Sequence, residues 1–136
     1  MNRILQPQGW ARPRGYSNGV AARGTYVAIA GQVGSNAQGK IETDDFAEQA
    51  RLALANVLAV LREAGGGPQN IVQMNWYVTS RDEYLAAGAR IGPIWKDLMT
   101  GPGGAVAFPA MTLLVVSGLL DPAAKLEIDA SAIIHD

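Results

Sequence analysis

Two acidic side chains stand two residues apart in the run Lys125-Leu126-Glu127-Ile128-Asp129, alternating with apolar neighbours. A carboxylate on a strand face accepts hydrogen bonds from water and moves a proton when its surroundings allow it to titrate. By periodicity alone Glu127 reads more readily as a solvated or salt-bridged residue beside Lys125 and Asp129, because carboxylates with altered acidity are the minority. Tyr16 lies in Arg14-Gly15-Tyr16-Ser17-Asn18-Gly19. Its phenol is either a hydrogen-bond and proton donor or an aromatic packed under the glycine turn.

Other chemistries are excluded by what is missing. The chain contains no cysteine, so thiolate nucleophiles, disulfides and cysteine-held metals are ruled out. The single histidine, His135, is penultimate, where chains usually fray, and supports neither a Ser-His-Asp triad nor a histidine-held metal. Gly101, Gly103 and Gly104 do not join a strand to a helix in the manner of a phosphate-cradling loop. No cofactor or metal is expected.

The residues must be positioned by a domain of ordinary size. At 136 residues, 49% apolar and 17% charged, the chain predicts one packed domain and not a disordered segment. A net charge of −1, with only Arg12 and Arg14 close together, gives no stripe for nucleic acid and no attraction to an anionic membrane. Residues 1–7 lack an apolar signal region and no apolar run approaches bilayer length, so a cytoplasmic location is expected.

Periodicity predicts strands at residues 3–5, 19–23 and 25–33, the last two joined as a hairpin at Gly24. A helix follows over residues 45–63, with Asp45 as cap, Glu48 completing a capping box, and Gly65-Gly66-Gly67-Pro68 ending it. The apolar stripe runs from Phe46 through Leu54, Val57 and Val60 to Leu61. Residues 70–79 alternate, with Val72, Met74, Trp76 and Val78 on one face and Gln73, Asn75, Tyr77 and Thr79 on the other. A second helix over residues 82–99 is expected to kink at Gly92-Pro93. Residues 111–116 read as a strand buried on both faces, and residues 125–134 as an alternating one. Helices on one face of a mixed sheet make an α+β domain.

Order and spacing then carry a resemblance. Tyr16, Ala30-Gly31-Gln32, the helix residues Asp45, Phe46, Gln49, Ala53, Leu54 and Asn56, Phe108-Pro109-Ala110, and the ending from Lys125 to Ala130 together resemble the RidA/YjgF family of reactive enamine/imine deaminases. The resemblance spans nearly the whole chain. It implies a chorismate mutase-like fold, a homotrimer with a central barrel-like core, and ligand clefts between subunits. It implies that Glu127 positions the hydrolytic water, that Tyr16 borders the cleft, and that Gly31 presents backbone to the ligand. No cofactor is implied.

Three positions depart from the family pattern. An arginine that grips a substrate carboxylate usually follows Pro-Ala, and here the residue is Met111. A neutral side chain cannot reproduce two parallel charge-assisted bonds, so a carboxylate substrate forfeits about 2–5 kcal/mol. Ala30 stands where a serine is common, and Gly88 where an asparagine often stands. Either Arg14 supplies the missing charge, or the substrate is uncharged or apolar, in keeping with Met111 and Leu113. The resemblance thus implies a hydrolase acting on C–N or C=N bonds of something other than the simple 2-imino acids. A non-catalytic trimeric metabolite-binding protein is the alternative. The endoribonuclease label attached to the family is disfavoured by the charge balance and the lack of histidine.

Overall fold

The computed structural model describes residues 2–135. Its centre is a mixed four-stranded sheet in the order β3-β6-β4-β5, formed by β3 (Thr25–Gln32), β4 (Ile71–Val78), β5 (Ala110–Val115) and β6 (Leu126–Ile134). Strand β6 is antiparallel to both β3 and β4, whereas β4 and β5 run parallel. A parallel pair needs a crossover. Here it is supplied by α2 (Arg81–Ala86) and α3 (Gly88–Leu98). With α1 (Phe46–Glu63) these helices cover one face, which gives the α+β, chorismate mutase-like fold.

The core follows from two periodicities meeting. Leu126, Ile128, Ala130 and Ala132 of β6 are buried, as are Met74, Trp76 and Val78 of β4. Leu54, Val57 and Leu61 of α1 close over them without exposure, each worth about 1.5–3 kcal/mol on removal from water. Val60, at the margin of the stripe, remains exposed, and Leu58 is buried in its place.

Several predicted details change. β2 (Gly19–Ala21) pairs with β1 (Arg3–Leu5) and not with β3, so there is no hairpin at Gly24. The second helical region breaks at Ala87, where the α2 cap N–H is shared among three preceding carbonyls, and Pro93 lies inside α3. A register shift between Ile71 and Gln73 puts Ile71 in the core ahead of Val72. The continuous apolar run of β5 is not covered on both faces. β5 is a sheet edge and the helices cover only one side, which leaves Leu114 and Val115 each half exposed.

The capping box forms only in half. Asp45 accepts from the Glu48 N–H at 3.0 Å, but its own N–H donates to Thr43 Oγ1 while Glu48 pairs with Arg51. Two hydrogen bonds from the Arg90 guanidinium, at 2.8 and 2.7 Å, join the Asp45 carboxylate to α3. Those bonds first, and the Glu48 amide second, hold the Asp45 carboxyl below its ordinary range.

Two inward-facing amides of α1, two turns apart, clamp the strand ends. The buried Gln49 donates to the Thr43 and Ala123 carbonyls at 2.8 and 3.0 Å and accepts from the Lys125 N–H at 2.9 Å. Asn56 donates to the Val33 and Ser35 carbonyls, both at 3.0 Å. The chain after β3 presses so closely on α1 that a Cβ on Gly34 would lie 2.7 Å from the Gln49 backbone.

Gln49→Leu strands two carbonyls and one amide, at about 1–3 kcal/mol for each buried group left unpaired. We expect a loss of about 3 kcal/mol or more in urea unfolding; a change under 1 kcal/mol overturns the clamp. The lowered Asp45 pKa stabilises the fold above the ordinary carboxylate range, and the contribution disappears as pH falls through the lowered value. Asp45→Asn should therefore flatten the acid limb of a stability-versus-pH curve and leave its neutral-to-alkaline shape unchanged.

Candidate functional site

Glu127 stands opposite Tyr77 on the sheet face that the helices leave open. Two residues along the same face, Asp129 accepts from Asn75 Nδ2 at 2.8 Å and from the Tyr77 hydroxyl at 2.9 Å. The Asp129 hydrogen bond, followed by burial and the charges of Asp129 and Glu127, pushes the Tyr77 phenol above its ordinary value. Tyr77 is thus a firm neutral donor to Asp129, on the residue that pairs with Glu127 across the strands.

Strand β3 meets this row through a bulge. Ile29 pairs with Ala130 and Gln32 with Ile128, so Ala30 and Gly31 together oppose the single residue Asp129. The distortion brings Gly31 under the glutamate: a Cβ there would lie 2.0 Å from Glu127 Oε2. Only glycine leaves the carboxylate this position against the strand backbone. Ala30 is exposed, and its carbonyl accepts from Gln32 Nε2 at 3.1 Å.

A second group gathers on the helix side. Ser17 forms a parallel bridge with Ala110; its N–H donates to the Pro109 carbonyl at 3.0 Å and its hydroxyl to the Phe108 carbonyl. This anchors Arg14, Gly15 and Tyr16 beside the start of β5. They border a cavity of about 1260 Å³, whose other walls include Met111, Leu113, Trp76, Tyr84, Trp95 and Phe108. Trp95 and Phe108 stack at 6.4 Å, and Tyr84 meets Trp76 edge-on at 6.3 Å. Tyr16 is 39% exposed, enough for its phenol to meet a ligand.

The sequence-predicted residues therefore fall into two groups. Glu127, Gly31 and Ala30 belong to or border the open face; Tyr16, Arg14, Met111 and Leu113 line the helix-side cavity. The registers explain the split, because Met111 pairs with Met74 and Leu113 with Trp76, on the face opposite Tyr77 and Glu127. One chain does not bring them into a single cleft. Sequence reasoning overlooked Asp129 as the partner of Asn75 and Tyr77, although its place two residues after Glu127 signals a shared face. Trp76 and Trp95 are both buried and also line the cavity. Among the described residues, no three His, Asp or Glu side chains gather to hold a metal, and no helix is long and apolar enough to cross a membrane.

The family profile described as Endoribonuclease L-PSP matches residues 10–134. The chain belongs to the RidA/YjgF family. It is 29% identical over 102 residues to a RutC family protein of Aquifex aeolicus, covering 75% of this chain and 81% of that one. The solved structure of the Rid family protein YyfB from Yersinia pestis is 29% identical, with 98% of each chain covered and a TM-score of 0.74. The YjgF gene product of E. coli gives 28% identity, 87% of each chain and a TM-score of 0.66. E. coli TdcF, whose structure holds bound serine, gives 29%, 97% and 98% coverage, and 0.67.

Asp129→Asn should bring the Tyr77 phenol back toward its ordinary acidity, read as an ultraviolet phenolate titration against Tyr77→Phe. An unchanged titration would show that the Asp129 hydrogen bond does not control this tyrosine.

Proposed function

We propose that the protein is a small hydrolase of the imine/enamine deaminase type, working as a homotrimer on a substrate other than the simple 2-imino acids. The observation that carries this reading is the placement of Glu127: its carboxylate lies over the Gly31 backbone, on the face it shares with the Asp129–Tyr77 pair. Family membership and the small-molecule ligand of the neighbour TdcF support it.

In the proposed reaction an enamine first tautomerises to its imine, and the imine nitrogen takes a proton. Water held by Glu127 adds to the carbon, giving up one proton to the carboxylate. Glu127 returns that proton to the nitrogen of the carbinolamine. The C–N bond breaks as the hydroxyl passes its proton back to Glu127, so that ammonia leaves and the carbonyl compound remains. The protein supplies orientation and a proton path, and the protonated imine is already electrophilic. Tyr16 contributes a phenol to the cleft.

A second copy is required for the two groups of residues to share one cleft. The open face supports such packing: Leu114 is 50% exposed and Tyr26 62%, although Tyr26 is tied to Ser131 by a 2.9 Å hydrogen bond. Met111 leaves the cleft without a bidentate carboxylate anchor, which directs the substrate away from small imino acids. Against an RNA substrate stand the net charge of −1 and the scattered basic residues.

The test is ammonia release from 2-iminopropionate generated in situ. Wild type should be weak or silent, Met111→Arg should gain activity, and Glu127→Ala in that background should lose it by about 10²-fold or more. Silence from every variant would favour the metabolite-binding alternative. Light scattering should give about three times the 14.3 kDa chain mass, and Leu114→Lys should lower it. A monomeric wild type overturns the interfacial cleft.

A further inference from the structure

We infer that the helix-side cavity takes a ligand with an aryl or comparably bulky planar apolar group, and that Gly88 and Gly92 hold open the space for it. This names a substrate class for the hydrolase proposed above and, as a statement about substrate, rests on that reading.

Gly88 and Gly92 lie four residues apart on α3, on one side of the helix, and both line the cavity. A Cβ at either would meet nothing within 4 Å apart from its own chain neighbours, and neither residue has a positive φ. At Gly88 neither close packing nor backbone conformation therefore calls for glycine, which is less favourable than alanine in a helix, whereas Gly92 also spares α3 the clash of a Cβ with the Pro93 ring that follows it. What the two glycines provide is room. Had alanine or leucine stood there, the side chains would project into the cavity beside Tyr84, Trp95 and Met111.

The walls match a flat apolar ring. The stacked Trp95–Phe108 pair, with planes 15° apart, and the edge-on Trp76–Tyr84 pair supply faces and edges at the spacing aromatic groups prefer. Met111 adds an adaptable apolar surface. The Trp76 indole N–H is an independent observation: its side chain is buried, at 3% residue exposure, and the N–H has no hydrogen-bond partner among the described residues. Buried donors are normally paired. A small inward adjustment around an acceptor-bearing ligand would satisfy it.

The charge of the lining sets the orientation. Arg14 and Lys96 are exposed members of the lining, and no acidic residue joins them. The apolar ring enters first, and a polar or anionic end stays near these cations.

Phenylpyruvate and pyruvate share a keto acid and differ by one phenyl group, so calorimetric binding of the two isolates the contribution of the ring. Wild type should bind phenylpyruvate at least tenfold more tightly. Gly92→Leu should remove that preference while leaving pyruvate affinity unchanged. Gly88→Leu probes the same space from the next turn, should either variant fail to give the wild-type circular dichroism. Gly88→Ala should raise the melting temperature and lower phenylpyruvate affinity, an opposition that a purely structural glycine would not produce. Equal binding of the two acids, or full phenylpyruvate affinity in folded Gly92→Leu and Gly88→Leu, overturns the proposal. Ammonia release from the imines of phenylalanine and alanine separates the two readings. Ring-selective binding without Glu127-dependent hydrolysis removes the hydrolase and keeps the cavity assignment. Glu127-dependent hydrolysis without preference for the phenyl imine keeps the hydrolase and removes the cavity assignment.

Discussion

Two amide side chains on one helix determine where the chemistry of this protein sits. Gln49 fixes the Lys125 N–H, two residues before Glu127, and Asn56 fixes the Val33 carbonyl, two residues after Gly31. The glutamate and the glycine it lies against come from strands β6 and β3, which are far apart in the chain, and α1 registers both. A buried amide that satisfies three backbone groups is also expensive to replace, because an apolar substitute leaves each of those groups unpaired. These two polar positions of the helix thus support the candidate site without touching it.

The second constraint is the two-residue period of a strand. Once Leu126 and Ile128 face the helices, Glu127 and Asp129 must face away, and the registers of β4 and β5 carry that division across the sheet. Met111 and Leu113 fall on the helix side as a result. No rotamer change moves them to the other face. The bulge at Ala30 and Gly31 is the one local departure from this period, and it occurs where the carboxylate needs the backbone close.

The sequence made the long elements legible because their periods are strong: α1 from Asp45 to Glu63, the alternation of β6, and the core face of β4. The partner of β2 was not legible, since a glycine between two short apolar runs looks the same whether the strands pair with each other or with distant ones. Continuous apolar residues in β5 encode burial on two sides without saying what does the burying, and within this chain only the helices cover one side. The helix break at Ala87 was masked by the proline six residues later, which the helix accommodates. At the site, the resemblance singled out Glu127 and Tyr16, whereas the face each would occupy relative to Met111 depended on sheet order. The Asp129 cluster and the glycine-walled cavity depend on contacts across three elements, which no spacing within one segment encodes.

The exposed surface and the incomplete site have one explanation in the proposed trimer. Glu127 lies on a face where Leu114 and Tyr26 are exposed, and a general base held in bulk water offers little advantage over water itself. Packing a second copy against that face would cover the apolar residues and exclude solvent from the carboxylate in the same step. Because the helix-side cavity lies on the face of the sheet opposite Glu127 of its own chain, a neighbouring copy in the proposed trimer would supply the water-activating group. On that proposal assembly controls activity directly: dilution that dissociates the trimer would remove the base from the cavity while leaving each folded chain, and its affinity for the apolar part of a ligand, largely intact. Binding and hydrolysis should consequently respond to protein concentration differently, which distinguishes a shared cleft from a site complete within one subunit.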